Sequence, residues 1–203
     1  MGVLSGTWTV RRYQVVGTVP DAFRDAYAEA LAAHAFRPGS ARRTDTEGWV
    51  SIRDLLDTDF AVHDTWLYDH YAVFALRVDR KVVPARLVRA LLAREVAAWC
   101  TEHDRPRCPR PVREEMKERI EIDLLSRSLP RVQVYEISWD LAGGWLLFHH
   151  HGEAANARFR TLFHRTFGLS LQPWTPLDLL AESAPHLVDP LLATGGTQLG
   201  GTP

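Results

Sequence analysis

Apolar and polar positions change period several times along the chain, and each change marks a new element. Thr7 to Val16 mixes polar, β-branched and aromatic residues, with Trp8, Val10, Val15 and Val16 as apolar positions, which predicts a strand ended by Gly17. Pro20-Asp21 then opens a helix in which Phe23, Tyr27, Ala30 and Leu31 share one face of a 3.6-residue period, with Pro38-Gly39 as its stop. A polar loop from Ser40 to Glu47 leads to a short strand at Gly48 to Ile52 and an acidic connector carrying Asp54, Asp57, Asp59 and Asp64. Tyr71 to Val78 is almost continuously apolar, the pattern of a strand covered on both faces.

Two helices follow. Pro84 suits a first helical position, and Leu87, Val88, Leu91, Leu92, Val96 and Trp99 form the apolar stripe of the first helix. Arg105 to Pro111, with three prolines, reads as a loop or hinge, because proline lacks the helical donor and clashes with the preceding turn. The second helix runs from about Val112 to Ser128, with Val112, Met116, Ile120 and Leu124 spaced by four. Val132–Asp140 and Trp145–His149 are strands joined at Ala142-Gly143-Gly144, a hairpin signature. Phe159, Leu162, Phe163, Thr166 and Phe167 mark a helix with Gly168 as a left-handed cap, and Leu169–Trp174 is an edge strand with Pro173 near its end. The order β-α-β-β-α-α-β-β-α-β predicts an α+β fold: a largely antiparallel sheet, helices packed on one side, and a projecting helical pair. One domain over residues 1–176 is expected, followed by an extension over 177–203 whose Gly/Thr-rich end from Gly195 is a mobile tail.

Composition narrows the class. With 203 residues and 46% hydrophobic content the chain buries a real core, and no run approaches the roughly 18 apolar residues of a membrane helix. The start of the chain lacks the pattern of a secretory signal, which leads to an expectation of a cytoplasmic protein without a membrane partner. Cys100 and Cys108 are too few for a disulfide framework. The net charge of −1 hides an asymmetry: residues 77–131 hold fourteen Lys/Arg against nine Asp/Glu, and the remainder is correspondingly acidic. One anion-facing surface would produce this segregation, and so would mixed charges on solvated helices.

Candidate chemistry is sparse. The Asp54–Asp69 carboxylates are the residue type that holds a divalent metal for phosphodiester cleavage, but their spacing is that of a solvated loop. Cys100, His103 and Cys108 lack the fourth ligand of a structural zinc site, and His149-His150-His151 alternates faces at the end of a strand. No phosphate-binding glycine loop or hydrolase elbow occurs, so no catalytic residue, metal or cofactor is assigned. The basic material of 77–131 remains. Arg113 and Lys117 are i, i+4 neighbours with Arg110 close by, while Glu114, Glu118 and Glu121 occupy the adjoining sector. The cationic edge suits phosphates; an ordinary amphipathic helix with internal ion pairs has the same sequence.

Taken in order, several stretches resemble the bacterial recombination-associated RdgC family: Val10-Arg11-Arg12-Tyr13, Ala35-Phe36-Arg37-Pro38, Gly48-Trp49-Val50, Phe74 to Pro84, Leu125 to Arg131, the Gly143-Gly144 hairpin, and Phe167 to Leu171 with Pro173. The resemblance implies an α+β homodimer that encircles double-stranded DNA without sequence preference, acts at the nucleoid, and restrains RecA-driven recombination. Longer members of that family carry a further C-terminal part that helps close the ring, which puts ring closure in question here. The hole lining carries over as Arg77, Arg80, Lys81, Arg86, Arg89, Arg110, Arg113 and Lys117. The rival readings are a protein-interaction or structural module that does not bind DNA, and a metal-dependent nuclease using Asp57 to Asp69.

Overall fold

A computed structural model of the chain describes Val3 and residues 9–39 and 45–194. In chain order the elements are β1 (Arg11–Val16), α1 (Phe23–Ala33), β2 (Asp45–Val50), β3 (Leu67–Tyr68), β4 (Tyr71–Arg80), α2 (Ala85–Glu102), α3 (Arg110–Arg127), β5 (Arg131–Asp140), β6 (Trp145–Phe148), α4 (Glu153–Phe167), β7 (Ser170–Pro173), α5 (Pro176–Ser183) and α6 (Val188–Ala193). Single 3₁₀ turns occur at His63–Thr65 and Pro185–Leu187. The fold is α+β, and the strand pairings β1–β6, β1–β7, β2–β4, β3–β4 and β5–β6 are all antiparallel. The chain divides into two compact units, one of residues 1–23, 67–73 and 136–203, the other of residues 24–66 and 74–135. Thr7 and Trp8, the loop residues 40–44 and the tail from Gly195 lie outside the described residues.

In the first unit, β6 lies between β5 and β1, and β1 between β6 and β7, with Leu146 opposite both Trp139 and Tyr13. Tyr13, Ile137, Trp139, Leu146 and Phe148 are buried, as are Phe159, Leu162 and Phe163 of α4. The alternation of strand side chains and the 3.6-residue period of α4 therefore deliver two apolar faces to one core. Phe148 stacks on Phe159 at 4.3 Å between ring centroids, and Trp139 meets Phe163 edge-on at 5.2 Å. One polar side chain sits in this core without exposure. Asn156 donates from Nδ2 to the carbonyls of Gly152 (2.8 Å) and His150 (3.1 Å), and its Oδ1 accepts from the Tyr13 hydroxyl at 2.6 Å. It ties α4 to β1 and to the turn between β6 and α4. Gly168 caps α4 at φ +70°, as its sequence position predicts.

Beyond β7 the chain continues as helix. Thr175 and Asp178 form a capping box at the start of α5: the threonine side chain accepts from the Asp178 N–H, and the aspartate accepts from the Thr175 N–H. The extension over 177–203 thus contains α6 and all of α5 but its first residue, Pro176, in its described part, elements that the apolar pattern had not marked.

In the second unit, β2 pairs with β4 in the register Trp49 opposite Leu76, and Trp49 meets Phe74 edge-on at 5.1 Å. α1 ends at Ala33, five residues before Pro38, because the backbone beyond it is engaged by β2. The Phe36 N–H donates to the Trp49 carbonyl at 2.8 Å, and the Trp49 N–H to the His34 carbonyl at 3.1 Å. This approach requires Gly48, since a Cβ there would collide with the backbone of Ala35 and Phe36. α2 and α3 pack on each other through Val88, Leu92, Met116 and Ile120, flanked by Val96, Trp99, Val112 and Leu124. Burial of each such side chain contributes roughly 1.5–3 kcal/mol. Leu87, expected in that stripe, is 43% exposed. α3 begins at Arg110, earlier than expected, with Pro111 in its first turn, where its missing N–H has no helical partner to lose. The proline-bearing loop is shortened accordingly.

Removing the Asn156 amide leaves two carbonyls and a tyrosine hydroxyl without their shared partner. Asn156→Ala is expected to lower the free energy of unfolding by about 1–3 kcal/mol, and Tyr13→Phe by about 1 kcal/mol. Urea titration followed by circular dichroism measures both, and an Asn156→Ala protein as stable as the parent would contradict this packing.

Candidate nucleic-acid interface

The cations singled out in the sequence all fall in the second unit, in three kinds of setting. Arg77 on β4 is built into the fold. Its Nε and Nη2 donate to the two carboxylate oxygens of Asp79, each at 2.8 Å, Nη1 donates to the Leu55 carbonyl at 3.0 Å, and the guanidinium lies 4.1 Å from the Phe36 ring centroid. The two side chains are 12% and 11% exposed, and the bond to Asp79 raises the Arg77 pKa further above its ordinary value. Lys81 is also spoken for: its Nζ donates to the Leu125 carbonyl at 3.1 Å, in the last turn of α3 where a cation also complements the helix dipole.

A second group makes exposed ion pairs. Arg80 lies 3.7 Å from Asp45, Arg110 donates to Glu114 at 2.8 Å, and Lys117 lies 3.6 Å from Glu121. The last two are i, i+4 pairs along α3. Such solvent-exposed pairs contribute about 0–1 kcal/mol each, so a stronger anion can displace the carboxylate. In the third group, Arg86 and Arg113 make no ion pair among the described residues, and Arg89 only reaches back along its own helix to the Ala85 carbonyl at 3.4 Å.

The structure brings three of these side chains together. A groove of about 330 Å³ along the α2–α3 seam is lined by Arg89, Leu92, Ala93, Val96, Ala97 and Arg113. A second, of about 290 Å³, is lined by Val83, Ala85, Val88, Arg89, Lys117 and Glu121. Arg89 belongs to both, so Arg89 from α2 and Arg113 and Lys117 from α3 stand beside one stretch of the seam with Glu121 as the carboxylate among them. Arg77, Arg80 and Lys81 line neither groove. A third groove, of about 590 Å³, is lined by Leu87, Leu91, Ile120 and Leu124 together with Arg94 and the ion pairs Arg119–Glu95 (2.6 Å) and Arg127–Asp123 (2.8 Å). The small residues Ala93 and Ala97 and the position of Glu121 shape the cationic groove. Helical phase places Ala93 within about 60° of Arg89, a signal available in the sequence but not used there.

The acidic connector serves its own backbone. Oδ1 of Asp54, Asp57 and Asp59 accepts from the N–H groups of Leu56, Asp59 and Ala61, each at 2.9 Å, three successive Asx turns. His103 stacks on Trp99 at 4.2 Å, and Cys108 packs against the helical seam. Among the described residues no three His, Cys, Asp or Glu side chains come together as a metal site. His149, in the first unit, faces Ser138 at 3.2 Å between Nε2 and Oγ. Burial pushes its pKa below the ordinary histidine range against the pull of Glu136, and burial together with the neighbouring His151 does the same to His150. Among the described residues no helix is long and apolar enough to cross a membrane.

The sequence matches the family described as "Putative exonuclease, RdgC" over residues 13–189. The chain belongs to the RdgC family. Relatives named recombination-associated protein RdgC include one from Burkholderia cenocepacia, 28% identical over 148 residues that cover 72% of this chain and 46% of the relative. Another, from Cupriavidus pinatubonensis, is 30% identical over 122 residues, covering 60% of this chain and 38% of the relative. A third, from Ralstonia nicotianae, is 27% identical over 138 residues, covering 68% and 43%. The matched region is less than half the length of these RdgC relatives, whose names refer to recombination and to no enzymatic reaction.

Two outcomes follow from this geometry. Arg77→Gln strands the largely buried Asp79 carboxylate and is expected to cost about 2–4 kcal/mol of stability, whereas Arg113→Gln stays within about 0.5 kcal/mol; chemical denaturation of the two variants checks the contrast. His149 has a lower pKa folded than unfolded, so its contribution to stability is present above the unfolded value of 6.5 and is lost as pH falls toward the folded value. His149→Gln should therefore flatten part of the acid side of a plot of unfolding free energy against pH.

Proposed function

We propose that this chain binds double-stranded DNA without sequence preference, through Lys and Arg contacts to backbone phosphates, and performs no chemistry on it. The observation that carries the reading is the convergence of Arg89, Arg113 and Lys117 beside the α2–α3 seam, with Arg113 in no ion pair among the described residues. Phosphate contacts of this kind position a duplex without reading bases, and their affinity comes largely from counterion release. Arg86, exposed one turn before Arg89, extends the set, and Arg80 and Arg110 join it when a phosphate replaces their surface carboxylates. Arg77 and Lys81 support the scaffold. Membership of a family whose relatives are named for recombination supports DNA as the partner. On this reading the chain works as a homodimeric clamp at the nucleoid that restrains RecA-dependent recombination. The exonuclease in the family description gains no support from the Asp54–Asp59 carboxylates, which are committed to Asx turns.

A second reading, a protein-interaction or structural module without DNA affinity, is favoured by the surface ion pairs Arg110–Glu114, Arg119–Glu95 and Arg127–Asp123 and by the net charge of −1. Gel shifts of a duplex at about 50 mM salt, where counterion release is strong, separate the two. The parent protein is expected to retain the duplex, Arg113→Glu/Lys117→Glu to lose at least about tenfold in affinity, and Arg127→Glu, beside the opposite groove, to bind like the parent. A parent that fails to shift the duplex under these conditions would establish the second reading instead.

A further inference from the structure

The first unit carries a feature that duplex binding by the α2–α3 seam does not use. On β1, Tyr13 is buried against Phe159 of α4, so Arg12, next along the strand, projects from the opposite face of the sheet. Its guanidinium carbon lies 4.0 Å from the Trp174 ring centroid and 5.1 Å from that of Trp145. The pairings that arrange this are specific: Trp145 on β6 is opposite Gln14, and the Trp174 N–H donates to the Arg12 carbonyl at 2.9 Å. Tyr71 continues the run, edge-on to Trp145 at 6.4 Å, and the His70 ring lies 4.1 Å from Tyr71. Tyr71 is 37% exposed and the His70 side chain 41%, while Trp145 and Trp174 are half-buried.

Two properties of this face point to a ligand. Arg12 is the cation at its centre, and neither a carboxylate partner nor a hydrogen bond from its buried Nε occurs among the described residues. Wedged between two indoles, that charge meets ring quadrupoles and, among the described residues, no carboxylate, which leaves its terminal amino groups to meet an anion. The aromatic side chains lie on the side of the strands that does not build the α4 core. A partner matching both properties presents flat π-faces alternating with negative charge. Duplex DNA does not, because its bases are stacked on one another inside the helix. Single-stranded nucleic acid does: unpaired bases stack on aromatic side chains whatever their identity, and the backbone supplies the anion.

We propose that the sheet face formed by Tyr71, Trp145, Arg12 and Trp174 binds single-stranded nucleic acid, with bases stacked on the rings and a phosphate at Arg12. This site is separate from the seam of α2 and α3 and stands or falls independently of it.

The test is fluorescence anisotropy with a labelled oligothymidine of about 12 nucleotides, within the span of known stacking platforms, and a strand of the same length carrying abasic sugars. The two strands have equal charge and differ only in their bases. The protein is expected to bind the base-bearing strand at least about tenfold more tightly. Tyr71→Ala and Arg12→Gln are each expected to lower that affinity roughly tenfold, the loss typical of one base-stacking contact, without changing the duplex gel shift. Arg113→Glu/Lys117→Glu should keep the preference for bases. Equal binding of the two strands overturns the proposal, even if the duplex is still retained, and points to a protein partner for this face. If a variant unfolds, photocrosslinking of a 5-iodouracil strand to the parent protein decides instead: adducts at Tyr71, Trp145 or Trp174 support the proposal, and adducts confined to other segments overturn it.

Discussion

The apolar seam between α2 and α3 is the constraint on which the functional reading depends. Val88 and Leu92 on one helix and Met116 and Ile120 on the other are buried together, and with 3.6 residues per turn this fixes the azimuth of every other side chain on the pair. Arg89 directly follows Val88, and Lys117 directly follows Met116, so each stands about 100° round its helix from a buried contact. Arg113, one turn before Lys117, shares its edge. The cationic groove is thus a consequence of burying the seam, and a change that rotated either helix would scatter it.

Charge balance is the second determinant. The whole chain carries a net charge of −1, and carboxylates lie beside Arg80, Arg110, Lys117, Arg119 and Arg127. These pairs are exposed and weak, in contrast to the Arg77–Asp79 fork, whose two bonds are shielded from water and backed by Phe36. Exposed pairs give way to a phosphate at little cost, whereas the fork does not. The same residue type therefore serves two ends: fixed cations hold β4 and the loop bearing Leu55, and loosely held ones remain available to an anion.

Much of this was legible in the amino-acid pattern, because period and turn chemistry are local. The buried run of β4, the glycine turn between β5 and β6, and the Gly168 cap of α4 stand where Tyr71–Val78, Gly143-Gly144 and Gly168 predict them. Long-range contacts were not legible. α1 stops short of Pro38 because β2 takes the backbone of His34 to Phe36, a partnership that no local signal at Ala33 announces. α5 was marked only by the Thr175-Pro176-Leu177-Asp178 cap, too short a cue against a Gly/Thr-rich end. For the candidate site, spacing alone put Arg113 and Lys117 on one edge, and Arg89 entered only through the family resemblance; its placement beside them, and the assignment of Arg77 and Lys81 to structural roles, depend on which elements pack together. Nothing local to Arg12 marks it out either; the pairing of β1 with β6 and β7 is what sets two indoles around it.

The central claim, that a small set of seam-side cations meets phosphates, is tested most directly by the salt dependence of duplex affinity. Three to six phosphate contacts per chain, at about 0.9 released counterions each, give a logarithmic slope of roughly −3 to −5 per chain bound. A slope in that range, equal for duplexes of unrelated sequence, is the predicted result. A slope near zero, or one that differs between duplex sequences, would contradict phosphate contact as the source of binding.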